Sequence, residues 1–151
     1  MAVQTNRFGA ITTNSKFNTS KVIGEALKTA AAGRRVLVVQ FLKGGIHQGE
    51  GHMVNLAQNL DWIRSDSARQ LNSGELDESE TKSLLNLWQH VQELMRSVEY
   101  QLVVLEDLVE LVNLKIVEQL EVDQLLTKLP ASVEVIIPGL RLENNLELQA
   151  S

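Results

Sequence analysis

Cysteine is absent from the 151-residue sequence, which excludes a disulfide scaffold, thiolate zinc sites and iron–sulfur clusters. Aromatic residues make up only 4%, so the core is expected to be aliphatic, built from leucine and valine. Positive charge is in deficit: 14 lysines and arginines face 19 acids, giving a formal charge of −5. No basic stripe runs along the chain, and a partner held through its phosphate backbone, such as nucleic acid, is not expected. No apolar stretch approaches the roughly 20 residues needed to span a bilayer. Met1–Arg7 is polar where a signal peptide would be apolar. The expectation is a soluble, cytoplasmic protein with neither a membrane nor a nucleic-acid partner.

What the chain does have is an alternation of strand-like and helix-like patterning. Val36–Leu42 is an apolar run bounded by Arg34–Arg35 and Gly44–Gly45. Such a run suits a strand buried on both faces of a parallel sheet. Leu102–Leu105 and Val133–Ile137 repeat the pattern, and Phe8–Thr12 and Leu60–Ile63 are weaker candidates. Between them the period turns helical. Val22, Ile23, Ala26, Leu27 and Ala30 share one face of a helix that Gly33 ends. Leu84, Leu87, Trp88, Val91, Leu94 and Met95 mark a long amphipathic helix, with Ser79 or Thr81 as its cap. Leu120, Leu125, Leu126 and Leu129 mark another, stopped by Pro130. Residues 64–80 are polar and read as a mobile surface loop. The order predicts one α/β domain over residues 1–151, with a mainly parallel sheet flanked by helices.

In such a sheet, ligands sit beyond the carboxyl ends of the strands. Thr12–Ser20, Gly44–Glu50 and Glu106–Asp107 fall there. The first joins a strand to a helix, where a phosphate-binding loop belongs, yet it lacks the glycines that let backbone approach phosphate. Among other candidates, His47, Glu50 and His52 suggest a metal site, against the plainer reading of solvated loop side chains. His90, Trp62 and Trp88 read as packing or surface residues. No order of Ser, His and Asp suggests a nucleophile triad.

Arg35 through Gly44 reads Arg-Val-Leu-Val-Val-Gln-Phe-Leu-Lys-Gly, with Gly49–Glu50 following. This segment resembles the second-strand signature of the ATP:corrinoid adenosyltransferases. Leu87–His90, Leu102–Val112 with its acidic pair, and Val135–Ile137 with Gly139 are similar to later family segments. The resemblance runs from about Phe8 to Leu142 and implies a three-layer P-loop NTPase-like fold. It also implies that Gln40, Lys43, Gly44, Glu50 and Arg141 face a ligand, and that Glu106 and Asp107 are a Mg²⁺-holding pair, against a structural role as helix-start acids.

The resemblance sets Thr13, Asn14, Ser15, Lys16, Phe17, Asn18, Thr19 and Ser20 on the family's loop Gly-Asn-Gly-Lys-Gly-Lys-Thr-Thr. Asn14, Lys16 and Thr19 match. Thr13, Ser15 and Phe17 replace the three glycines, and Asn18 replaces the second lysine. A ring at Phe17 fills space that backbone and phosphate would share. A non-glycine residue held at positive φ costs about 1–2 kcal/mol. Asn18 brings no positive charge, and charge-assisted hydrogen bonds are the stronger kind. Further on, the family's Thr-Gly-Arg becomes Pro138-Gly139-Leu140, with Arg141 one place late, and its Phe-Thr-Trp-Asp segment is replaced by Gln70–Ser73.

Three functions follow as expectations. The first is a non-catalytic descendant with a degenerate ATP site, binding a small molecule or a protein partner and keeping a homodimer interface that resembles the family's. The second is an active ATP:corrinoid adenosyltransferase of cobalamin biosynthesis or salvage, using ATP, Mg²⁺ and a corrinoid. The third is a corrinoid or tetrapyrrole carrier.

Overall fold

A computed structural model describes residues 3–6, 9–12, 19–42, 54–65 and 76–138. Seven strands form one sheet in the order β1-β2-β7-β6-β3-β5-β4. These are β1 (Val3–Asn6), β2 (Gly9–Thr12), β3 (Val36–Gln40), β4 (Val54–Ala57), β5 (Leu60–Arg64), β6 (Leu102–Glu106) and β7 (Glu134–Ile136). From β2 across to β5 all neighbours run parallel; β1 and β4 pair antiparallel at the two edges. The α/β, mainly parallel reading therefore holds.

The strands' period of two sorts the core into two layers. Leu37, Val39, Ile63, Val103, Leu105 and Val135 face one side, where they pack with α2 (Glu78–Ser97), α3 (Leu108–Asn113) and α4 (Gln119–Lys128). Val36, Val38, Leu60, Leu102, Val104 and Ile136 face the other, packing with Val22, Ala26 and Ala30 of α1 (Thr19–Ala31). All five residues of β3 and of β6 are buried, because both faces are covered. Helices on both sides make the three-layer arrangement expected of the P-loop NTPase-like class.

Helix ends follow local chemistry. Gly33 adopts φ +92°. Its N–H reaches the carbonyl of Ala30 and the N–H of Arg34 reaches that of Thr29, the paired bonds that close a helix through a left-handed residue. At the start of α2 the cap is Asp77, not Ser79 or Thr81. Its carboxylate accepts from the Glu80 N–H, and Glu80 accepts from the Asp77 N–H. The capping box outcompetes the hydroxyls because it satisfies two donors at once. Of the loop expected over 64–80, Arg64 instead closes β5 and residues 78–80 open α2, while residues 66–75 lie outside the described residues.

The core is less purely aliphatic than composition suggests. Trp88 and Phe41 are its largest fully buried side chains, with ring centroids 6.2 Å apart. The Trp88 indole donates to Glu121 Oε1 at 3.0 Å, joining α2 to α4. Among the described residues no helix is long and apolar enough to cross a membrane.

Candidate functional site

The sheet's connectivity picks out one place. After β3 the chain moves to β4 at one edge and returns to β5 on that same side; after β6 it moves to β7 on the other. Neighbouring strands that send their connections in opposite directions leave a crevice beyond their carboxyl ends. Here that switch point lies between β3 and β6, whose last residues are Gln40 and Glu106.

Register brings three polar side chains into one row there. Gln40 pairs with Arg64 of β5 on one flank and with Glu106 of β6 on the other. All three share the face that packs on α1, being in step with Val36, Val38 and Val104. Gln40 is 1% exposed and Glu106 7%, so hydrogen bonds must replace the lost water. Gln40 Nε2 donates to Glu106 Oε1 at 2.6 Å. Gln40 Oε1 accepts from Trp62 Nε1 at 2.9 Å and from Arg64 Nε at 2.7 Å. The amide orientation is thereby fixed, because a flip would set its NH₂ against two donors. The Arg64 guanidinium lies over the Trp62 ring, 4.7 Å from its centroid.

Asp107, next along, sits at φ 72°, a left-handed conformation that costs a residue with a Cβ about 1–2 kcal/mol. Its Oδ2 accepts from the Leu42 N–H at 3.2 Å, and Phe41 N–H donates to the Glu106 carbonyl at 3.3 Å. The exits of β3 and β6 are thus stitched together. Strained backbone of this kind concentrates at functional positions.

Of the residues singled out in the sequence, the fold brings Gln40, Glu106 and Asp107 together at the switch point. Thr19 and Ser20 open α1. The loop positions 13–18, together with Lys43, Gly44, His47, Glu50, His52 and Arg141, lie outside the described residues. His90 sits on α2, away from this row. Sequence reading missed Arg64 and Trp62 as members of the cluster. The signal was present: Leu60, Trp62 and Arg64 alternate with Asp61 and Ile63, which places Arg64 in step with Gln40 once β5 is paired.

The described residues offer Mg²⁺ two carboxylates. Each already gives one oxygen to an internal donor, Glu106 to the Gln40 amide and Asp107 to the Leu42 N–H. Mg²⁺ demands near-octahedral oxygen geometry, and among the described residues no group of three or more His, Asp or Glu converges. At a nucleotide site, however, Mg²⁺ takes only one or two carboxylates and completes its shell with phosphate oxygens and water, so Glu106 and Asp107 suffice in number, each with one oxygen already engaged.

At the opposite end of the sheet, a second cluster is built on Asp61, which is 5% exposed. The Tyr100 hydroxyl donates to Asp61 Oδ2 at 2.7 Å, and Arg35 lies 3.7 Å from the same oxygen. Burial, then the hydrogen bond to Asp61 and that carboxylate's charge, push the Tyr100 phenol well above its usual range, opposed by Arg35. A cavity of about 1090 Å³ opens nearby between α2 and α4, lined by Met95, Tyr100, Leu125 and Leu129 among others. None of the site residues expected from sequence lines it.

Compared with known proteins, the chain matches the family model of ATP:corrinoid adenosyltransferase BtuR/CobO/CobP over residues 7–151. It is 28% identical over 136 residues to proteins named corrinoid adenosyltransferase from Escherichia coli strain K12 and from Escherichia coli O6:H1 strain CFT073. The alignment covers 85% of this chain and 64% of each relative, so the chain spans less than two thirds of their length.

Proposed function

The chain belongs to the ATP:corrinoid adenosyltransferase family, and from that premise we propose that it is a diverged, non-catalytic member that keeps the family frame for binding. The observation that carries this reading is the state of the switch-point acid. In place of the Asp-Glu order that the family resemblance implies, the strand ends Glu106-Asp107. The extra methylene at position 106 lets the carboxylate reach the next strand, where Gln40 takes it at 2.6 Å. Gln40 is in turn saturated by Trp62 and Arg64. One oxygen of the acid is thus committed to internal order, which competes with its holding an ion.

The loop substitutions point the same way. A triphosphate carries several negative charges, and the loop offers Lys16 while replacing the second lysine with Asn18 and the three glycines with Thr13, Ser15 and Phe17. Backbone amides that would cradle phosphate need the close approach that only glycine permits. Losing the cradle and engaging the acid together weaken both halves of a Mg-nucleotide site.

An anaerobic assay with Mg-ATP and chemically reduced corrinoid tests the proposal. The expected result is no 5′-deoxyadenosyl–cobalt product at high protein concentration. Product that accumulates with repeated turnover, and that disappears on Glu106→Gln, would show the reading to be wrong.

A further inference from the structure

We propose that Arg64 is the anchor of an oxyanion-binding site at the carboxyl end of β5, one strand from the switch point. Oxyanion binding goes beyond the loss of transfer chemistry and rests on the terminal nitrogens of Arg64, which that reading does not use.

A guanidinium carries five N–H donors in a rigid, planar fork. In Arg64 the Nε–H is committed to Gln40 Oε1 and one face of the plane to the Trp62 ring. Those two contacts fix the fork in place. Its terminal nitrogens have no hydrogen-bond or ion-pair partner among the described residues. The side chain is half-buried, so it has lost part of its water without gaining a counter-charge among the described residues. Gln40, itself 1% exposed, stands between Arg64 and Glu106 and keeps the two charges from pairing directly.

An arginine that served only to order the strand end would not need this arrangement. A cation held by its Nε, with its end-on donors unspent, matches a carboxylate or phosphate group taken through two parallel hydrogen bonds. Because the fork is already immobilised, little side-chain entropy is lost on binding. The position suits a ligand as well, lying beyond the carboxyl ends of the parallel strands. The shared chemistry is a planar or tetrahedral oxyanion with two oxygens side by side.

The test is a titration of the intact chain with sodium phosphate and, separately, sodium acetate, at low ionic strength and followed by nitrogen–proton correlation spectra. The site predicts saturable movement of the Arg64 Nε–H and Trp62 indole N–H resonances, with the Trp88 indole unmoved. Response to phosphate alone assigns a phosphoryl ligand; response to acetate alone, or to both, assigns a carboxylate-tolerant site. Arg64→Met should abolish the response, and Arg64→Lys should weaken it roughly tenfold or more, since a point charge replaces a two-pronged donor. Lys16→Ala should leave it intact. If Arg64→Met does not fold, the Lys variant carries the comparison. Failure of both anions to move Arg64 and Trp62, a response that survives Arg64→Met, or one lost in Lys16→Ala would overturn the proposal. None of these outcomes depends on whether Mg-ATP binds.

Discussion

Gln40 is the residue on which the switch point turns, because its side-chain amide hydrogen-bonds to both flanking strands. Replacing it with leucine removes a hydrogen bond from the buried Glu106 carboxylate and the shared acceptor of two half-buried donors, Trp62 and Arg64. An unmatched buried acceptor costs more when it is charged, so Gln40→Leu should lower stability by about 3 kcal/mol in urea unfolding. The double variant Gln40→Leu/Glu106→Leu should lose much less than the sum of the singles, since the two residues share one bond. Additive losses would mean that the 2.6 Å contact contributes little. Tyr100 offers a second residue-scale test, on pH. Its phenol is raised on folding, so the folded state favours the protonated form. The associated stability is complete below the unfolded phenol value near 10 and is lost as pH rises beyond it. Unfolding free energy should therefore begin to fall near pH 10 and keep falling as pH rises above it, and Tyr100→Phe should flatten that slope. The sequence has a single tyrosine, so phenolate absorbance reads the same group directly; ionisation near the ordinary value in the folded protein would contradict the Asp61 contact.

At the scale of elements, strands covered on both faces were legible in the sequence and edge strands were not. The runs Val36–Leu42 and Leu102–Leu105 announce β3 and β6 because burial on both faces demands continuous apolar side chains. β1 reads Val-Gln-Thr-Asn and β4 Val-Asn-Leu-Ala; each is short, partly polar, and made a strand by its neighbour. α3, at six residues, is too short to show a helical period. α2 is capped two residues before Ser79 and four before Thr81, because Asp77 and Glu80 cap each other. That pair gives the element-scale prediction. Asp77→Ala should cost about 1 kcal/mol, measured as a shift in urea midpoint with unchanged slope. Ser79→Ala should cost far less; the reverse ranking would return the cap to the hydroxyl.

For the molecule as a whole, the strand order matters more than any one element. It puts oppositely directed connections after β3 and β6 and so locates a crevice at Gln40, Glu106 and Asp107. Two of those residues were suspected from sequence as an acidic pair, and Gln40 as part of a strand signature. Their mutual bonding was not legible, since it depends on strand pairing between residues 66 positions apart. Arg64 escaped notice for the same reason: within a polar stretch, a lone arginine looks like loop until pairing sets it beside Gln40. The family membership accounts for the frame, while the substitutions over Thr13–Ser20 and the engaged Glu106 bear on what that frame still holds. Calorimetric titration of the chain with Mg-ATP meets that question most directly. The account predicts no saturable heat at micromolar nucleotide; stoichiometric, magnesium-dependent binding in that range would contradict it.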